Sequence, residues 1–387
     1  MTQKIITQTN MRETNLMEVL QLIREHGEVT RRQLQQLAGL SWGGISQIVS
    51  RLLEQQYLIE EKQGSAGPGR RPLVLKINKD RHFVVGIDVN KSCLTAVTLT
   101  LCNEQVEMIQ AEADWKNRNT LLRSIYDLLD PLVEKYKEKG ILSVGVSMQS
   151  MVDEAKGISI CLEDCDGWEN VPVREILFRR YELPVFVTHD PDCLVASNVA
   201  AFGQNVILFR IDYGIGMSVY RDGCFYKGTG LLEIGHTLVG EEGETLAAYA
   251  TIPGIEKRSG MKIEKMIHMK PEFLETYLSE AARYLATAII NTAILFQIDQ
   301  ILVCGKMMEI HSMFFCALEQ QIQEKKEKIR DYLPKGELHL HAYDVNKAAA
   351  GAALIALETR MHTVTANQEK WTDEESNYEE CKFQSIE

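Results

Sequence analysis

Asp190 ends the run PVFVTHD. A carboxylate at the C-terminal end of a strand faces the crevice where α/β proteins bind ligands, which makes it a candidate general base, with His189 beside it. Further on, Glu233 and His236 stand three apart in LLEIGH. Two carboxylates and an imidazole can together hold vicinal hydroxyls, because each carboxylate accepts two bonds and the ring donates or accepts. Glycines at 203, 214, 216, 228, 230 and 235 surround these groups and favour a ligand cleft over ordinary loop polarity. The DYGIG segment can offer backbone N–H groups to a phosphate, although a short glycine pair is a weak signal alone.

A second set of residues lies near the start of the chain and suits DNA. Ser41, Trp42, Ser46, Gln47 and Ser50 share one short segment, and serine and glutamine can bond base edges or phosphates. Arg31 and Arg32 precede them and are placed for the flanking backbone. Arg70 and Arg71 sit on a Gly/Pro-rich turn, SAGPGRRP, that can reach phosphate or the minor groove. Gly43 and Gly44 are unusual inside a helix, each costing about 1 kcal/mol relative to alanine. Close approach to DNA or to another helix would account for them.

The surrounding elements fit both sets. Leu16, Val19, Leu20 and Ile23 follow helical spacing, which predicts a helix over 15–26 that ends at Gly27. Thr30 and Gln33 form a capping box for RRQLQQLA, and Ser41 caps a third helix with Ile45, Ile48, Val49, Leu52 and Leu53 on its buried side. The strands YLIEEKQ and LVLKINK follow, joined by the arginine turn. Three helices and a hairpin give a winged helix-turn-helix over residues 1–78, mostly α. From Arg81, strands and helices alternate to residue 361, predicting α/β layers in two lobes. The readings there include a helix near 119–138, a helix over 173–182, a hairpin turning at Arg221-Asp222-Gly223, long helices over 271–296 and 311–328, and surface histidines at 339 and 341. Residues 362–387 form an acidic tail of net charge −5, expected to be disordered, in which Trp371 and Phe383 could dock.

Composition bounds the function. The chain has 387 residues, 45% hydrophobic and 25% charged, with 42 Lys+Arg against 54 Asp+Glu and a net charge of −12. That excludes wholesale disorder and a surface built entirely for nucleic acid. Residues 1–72, however, carry nine basic and seven acidic side chains, net +2, so the acidic body has a mildly basic end. No apolar run is long enough to span a bilayer, and the N-terminus lacks a secretory signal, so a cytoplasmic protein without membrane partners is expected. The nine cysteines are scattered and include no CxxC, as expected of reduced structural thiols.

The chain resembles the ROK family of sugar-responsive repressors and sugar kinases over roughly 12–358. The stretches that carry the resemblance include TRRQLQQLAGLSWGGISQIVSRLLEQQYLIEE, GIDVNKS, GVSMQSMVD, DGWENVPV, VFVTHD, YGIGMSVYRDG, LLEIGH, ILVCG and AAAGAAL. The resemblance implies a two-lobed α/β fold of the actin/hexokinase-like ATPase type. It also implies a sugar or sugar-phosphate cleft formed by Trp168, His189, Asp190, Glu233 and His236. Several departures point to the repressor branch. His189 replaces the usual Asn. Asn90, Lys91 and Ser92 alter the first phosphate loop, and Asp212 and Tyr213 the second. Gln149 and Ser150 replace Pro and Gly, and Cys304 replaces a Gly. No cysteine cluster follows His236, and Ala247 stands where a sugar-binding Glu belongs. The expectation is a DNA-binding transcriptional repressor of carbohydrate metabolism, such as xylose use. It would act on operator DNA as a homodimer or homotetramer, with Asp190 a vestigial base and with no zinc, no other metal and no ATP. Leu246, Tyr249 and Ile252 are expected to pack where zinc would have held the loop. The rival readings are an ATP-dependent sugar kinase and a ligand-independent DNA-binding regulator.

Overall fold

The structure is a computed structural model that describes residues 8–363 apart from 63–72, 163, 228–231, 241, 311 and 344. The turn bearing Arg70 and Arg71 and nearly all of the acidic tail, with Trp371 and Phe383, lie outside the described residues.

The N-terminal head contains α1 (Gln8–His26), α2 (Arg31–Ala38), α3 (Trp42–Glu54) and the antiparallel strands β1 (Leu58–Lys62) and β2 (Leu73–Ile77). Local chemistry sets the helix ends. The Thr30 and Gln33 side chains form the reciprocal capping box, Gly39 closes α2 at φ 63°, and Ser41 Oγ accepts the Gly44 N–H at 3.2 Å. Helix α1 begins at Gln8, earlier than the predicted 15, because residues 8–14, with Met11 alone apolar, carry no apolar stripe to mark them.

Two five-stranded sheets form the body. In the first lobe, β3 (Phe83–Val89), β4 (Leu94–Thr100) and β5 (Gln105–Ala111) form an antiparallel meander. The strands β6 (Ile141–Met148) and β10 (Val185–His189) extend it in parallel, giving the order β10-β6-β3-β4-β5. Helices α4 (Arg118–Tyr136) and α5 (Val173–Tyr181) and a small sheet, β7 (Met151–Asp153), β8 (Ile158–Cys161) and β9 (Glu169–Val171), complete this lobe. Asp190 starts α6 (Asp190–Ala196), which α7 (Val199–Phe202) follows. Neither helix is legible in the sequence, since both are too short to show periodicity.

The second lobe repeats the pattern. Its meander is β11 (Val206–Ile211), β12 (Ile215–Arg221) and β13 (Cys224–Phe225), with β14 (Gln300–Cys304) and β15 (His339–Ala342) in parallel. The predicted single hairpin is therefore two. Residues 212–214 make the first turn, and Arg221-Asp222-Gly223 makes the second. Helices α8 (Leu246–Ala250), α9 (Ile252–Ser259), α10 (Ile263–Met269) and α11 (Pro271–Phe296) cover one face. The predicted helix at 311–328 is α13 (Ser312–Lys326), and a short helix, α12 (Lys306–Ile310), precedes it. His339 and His341 share a face of β15, where His341 is half-buried against Phe202 and Gln300.

The last helix, α14 (Ala348–Thr363), joins the parts. Its small residues let backbone meet backbone. A Cβ at Gly86 or Gly145 would lie 2.0 Å from the Ala349 or Ala352 carbonyl oxygen, and one at Gly351 would lie 1.6 Å from the Cys193 carbonyl of α6. The other side of α14 shares one continuous core with the head. Leu16, Leu20 and Ile23 of α1 belong to the same apolar cluster as Leu99, Leu101, Leu357 and Met361. Arg24 clasps this junction by donating to the Leu101 carbonyl (2.7 Å), Glu358 (2.6 Å) and Asn103 (2.8 Å). The head is thus packed against the body and is not hung from a linker.

Candidate functional site

A cavity of about 310 Å³ opens between the lobes, and Asp190, Glu233, His236 and His189 all line it. The sequence-predicted constellation is therefore brought together. Asp190 comes from the β10–α6 junction, and Glu233 and His236 from the segment after β13. The Glu233 and His236 side chains are 37% and 75% exposed and 3.8 Å apart, so they remain open to a ligand. Ala247 also lines the cavity, so a methyl group and not a carboxylate faces a ligand at that point of the wall.

Trp168 is a correction. Its side chain is 1% exposed, and its indole N–H donates to Ser159 Oγ at 2.8 Å inside the first-lobe core. Its hydrogen bond and its burial make it a packing residue, and it does not line the cavity. The tryptophan that does is Trp115, whose indole N–H is buried without a hydrogen-bond partner.

Sequence reasoning misses Arg210, which organises the floor of the cavity. It lies on β11 with its side chain 3% exposed. Its Nη1 donates to Asp190 Oδ2 at 2.5 Å and its Nε to Asp212 Oδ2 at 2.7 Å. Burial opposes its charge, but Asp190, Asp212 and Asp88 outweigh that and hold the guanidinium pKa well above its ordinary value. Asp88, in GIDVN on β3, accepts from Ser147 Oγ at 2.6 Å; burial pushes its pKa up to about 6, with Arg210 pulling the other way. The one signal in the sequence is a lone charge in VILFRI, a strand buried along its whole length.

The positions corresponding to the phosphate loops are filled by the chain's own side chains. The other oxygen of Asp212 accepts the Lys306 backbone N–H at the start of α12, and Gln149 Nε2 reaches Asp212 at 3.4 Å. The Tyr213 ring lies under two ammonium groups, Lys91 at 4.6 Å and Lys306 at 5.5 Å from its centroid. Lys91 also pairs with Asp164 at 2.5 Å. A nucleotide placed there would meet an aromatic ring and a carboxylate that already accepts the Lys306 backbone N–H. No thiolate stands beside His236, and among the described residues no group of three His, Cys, Asp or Glu side chains is placed to hold a metal. Leu246 and Ile252 are buried there, and the Tyr249 ring packs at a tilt against Tyr284 with centroids 4.1 Å apart, so apolar packing holds the loop.

On the head, α3 buries Ile45, Val49 and Leu52 and leaves Trp42, Gln47 and Ser50 exposed, with Ser46 half-buried beside them. Ser41 is exposed, but its hydroxyl is engaged as the helix cap. Arg32 is exposed, whereas Arg31 pairs with Glu60 of β1 at 2.8 Å. Residues 29–53 contain three arginines and no acidic residue, in a chain of net charge −12.

The sequence pattern of the ROK family matches residues 84–359. The chain belongs to the ROK family. A curated relative, the xylose repressor of Caldicellulosiruptor bescii, is 26% identical over 249 residues, which is 60% of each chain; the aligned part therefore spans less than two thirds of that relative. Among solved structures, a ROK family transcriptional regulator described as a homologue of E. coli MLC superposes with a TM-score of 0.73 at 19% identity, covering 92% of this chain and all of that one. A ROK hexokinase from Thermus thermophilus gives a TM-score of 0.60 at 18% identity over 72% of this chain and 99% of its own. The first structure extends over the head as well as the body. No helix among the described residues is long and apolar enough to cross a membrane.

Proposed function

We propose that this ROK protein is a cytoplasmic transcriptional repressor of carbohydrate-use genes whose head is a winged helix-turn-helix on double-stranded operator DNA. The observation that carries this reading is the charge and exposure of the head. A capped helix shows a polar stripe to solvent within a segment free of acidic residues, which suits the major groove and its phosphates. The C. bescii relative is a xylose repressor, and that supports a pentose or hexose regulon. A homodimer or homotetramer would present two heads to a near-palindromic site.

The cleft serves as an effector site and not as a catalyst. General-base catalysis needs a carboxylate free to take a proton, and Asp190 is buried and ion-paired to Arg210. Glu233 and His236 remain available for sugar hydroxyls. The reading needs neither zinc nor ATP.

Binding to the protein's own upstream promoter DNA, followed by fluorescence anisotropy between 50 and 200 mM salt, tests the first half: affinity should fall steeply with salt. Calorimetry with neutral sugars and their phosphates tests the second, with Glu233→Ala expected to abolish binding. Sugar phosphorylation lost in Asp190→Asn would establish the kinase instead. DNA binding with no response to any sugar would establish a ligand-independent regulator.

A further inference from the structure

Gly43 and Gly44 are the second and third residues of α3, in its first turn, and glycine is among the weakest helix formers. Among the described residues little in the protein itself requires them. A Cβ built at Gly43 would meet no atom within 4 Å, and one at Gly44 would meet only Ser41 Oγ, at 3.3 Å. Neither glycine has a positive φ. Among the described residues no other helix packs on either glycine, which leaves close approach to DNA as the explanation the sequence offers. Beside them, Trp42 is 53% exposed, the one large apolar side chain that α3 leaves open to solvent.

We propose that Trp42, Gly43 and Gly44 form the base-reading surface of the head, in which the two glycines let the α3 backbone lie against the major groove while the Trp42 indole packs on a thymine methyl group. This rests on the DNA-binding reading above and adds to it which residues set the sequence preference. The occupant follows from chemistry. Residues 29–53 include Arg31, Arg32 and Arg51 and no acidic residue; Arg31 is paired with Glu60 of β1, while Arg32 is exposed, so the segment keeps a positive balance that complements a polyanion. The floor of the major groove offers one apolar group, the thymine 5-methyl, and an exposed indole is matched to it. A missing side chain is what permits close backbone approach. Arg32 and Gln47 flank this surface and hold the register without supplying the methyl contact.

The test selects operators from a random double-stranded DNA library with the full-length protein, then measures binding to the selected site. Trp42→Ala and Gly43→Ala should each weaken the selected site at least tenfold while leaving low-salt binding to nonspecific DNA within about twofold. Gly43→Ala should also raise the melting temperature of the protein, because alanine is the better helix former and the space is open. Replacing the contacted thymine by deoxyuridine, which lacks the methyl group, should weaken the wild type and leave Trp42→Ala unaffected. If both variants bind within twofold of wild type, or if the deoxyuridine penalty is equal in wild type and Trp42→Ala, the proposal is overturned while DNA binding stands. If Trp42→Ala changes the oligomeric state with no change in base preference, the surface belongs to a second copy and the proposal also fails. If the wild type enriches no sequence and shows no salt-dependent binding, the DNA-binding reading itself falls, and the proposal with it.

Discussion

Removing Arg210 gives the most direct check on the physics of the cleft. Arg210→Met keeps most of the side-chain volume and deletes the charge that Asp190 and Asp212 share, leaving both carboxylates buried beside Asp88. Breaking a buried ion pair by removing one partner costs about 3–5 kcal/mol, because the remaining charge is left unpaired in a poor solvent. Against a total stability of roughly 5–15 kcal/mol, that is a large loss. The loss should also depend on pH. Arg210 pulls the pKa of buried Asp88 down, so without the guanidinium Asp88 holds its proton to higher pH, and the penalty should be smaller at pH 5 than at pH 7. Urea unfolding of wild type and variant at both pH values measures this. Adding Asp212→Asn to Arg210→Met should recover part of the loss, since it removes one of the stranded charges. A loss below about 1 kcal/mol, equal at the two pH values and unaffected by Asp212→Asn, would refute the claim that Arg210 neutralises the cavity floor.

Other consequences follow from the same contacts. Asp88 has its pKa raised to about 6, so between about pH 4 and 6 the folded protein keeps a proton that the unfolded chain releases. Stability should therefore fall as pH rises through that window, by roughly 3 kcal/mol if Asp88 acts alone, and Asp88→Asn should flatten the profile measured by chemical unfolding. Gly351→Ala places a methyl 1.6 Å from the Cys193 carbonyl, which is backbone and cannot swing aside. It should cost several kcal/mol or prevent folding, while Ala350→Gly next to it should cost only about 1 kcal/mol in helix propensity. Arg24→Ala leaves the Leu101 carbonyl without its charged donor, and a loss of roughly 1.5–3 kcal/mol is expected, with faster amide exchange along α1 measured by hydrogen–deuterium exchange.

Local rules make much of the head legible. The capping box at Thr30, the Ser41 cap and the apolar spacing on α3 each concern residues within one helical turn, and the structure holds all three. In the body, β10 ending at His189 and the helix over 271–296 are readable for the same reason. What escapes depends on distant partners. Asp190 can be singled out as a carboxylate at a strand end, but nothing near it in sequence announces that Arg210, twenty residues on and in the other lobe, will neutralise it. Trp168 fails in the opposite direction: its type and motif suggest a ligand contact, and only the Ser159 hydroxyl facing its N–H shows why it is buried. Trp115, with no motif to mark it, comes to the cavity unannounced.

The route from cleft to head can be traced in contacts. Asp190 is both a cavity residue and the first residue of α6, and the Cys193 carbonyl of that helix rests on Gly351 of α14 with no side chain between them. Seven residues further along α14, Glu358 receives Arg24 from α1, and Met361 lies in the core of the head. A close-packed interface of this kind cannot compress, so a displacement of α6 must either open a gap at Gly351 or carry α14 with it. A ligand hydroxyl that took Asp190 from Arg210 would act at the far end of this chain of contacts. It would change the DNA-bound fraction only by as much as it prefers one arrangement of α6 over the other. A sugar that binds without shifting amide exchange in α14 would leave DNA affinity unchanged, and that links the effector reading to a single measurable helix.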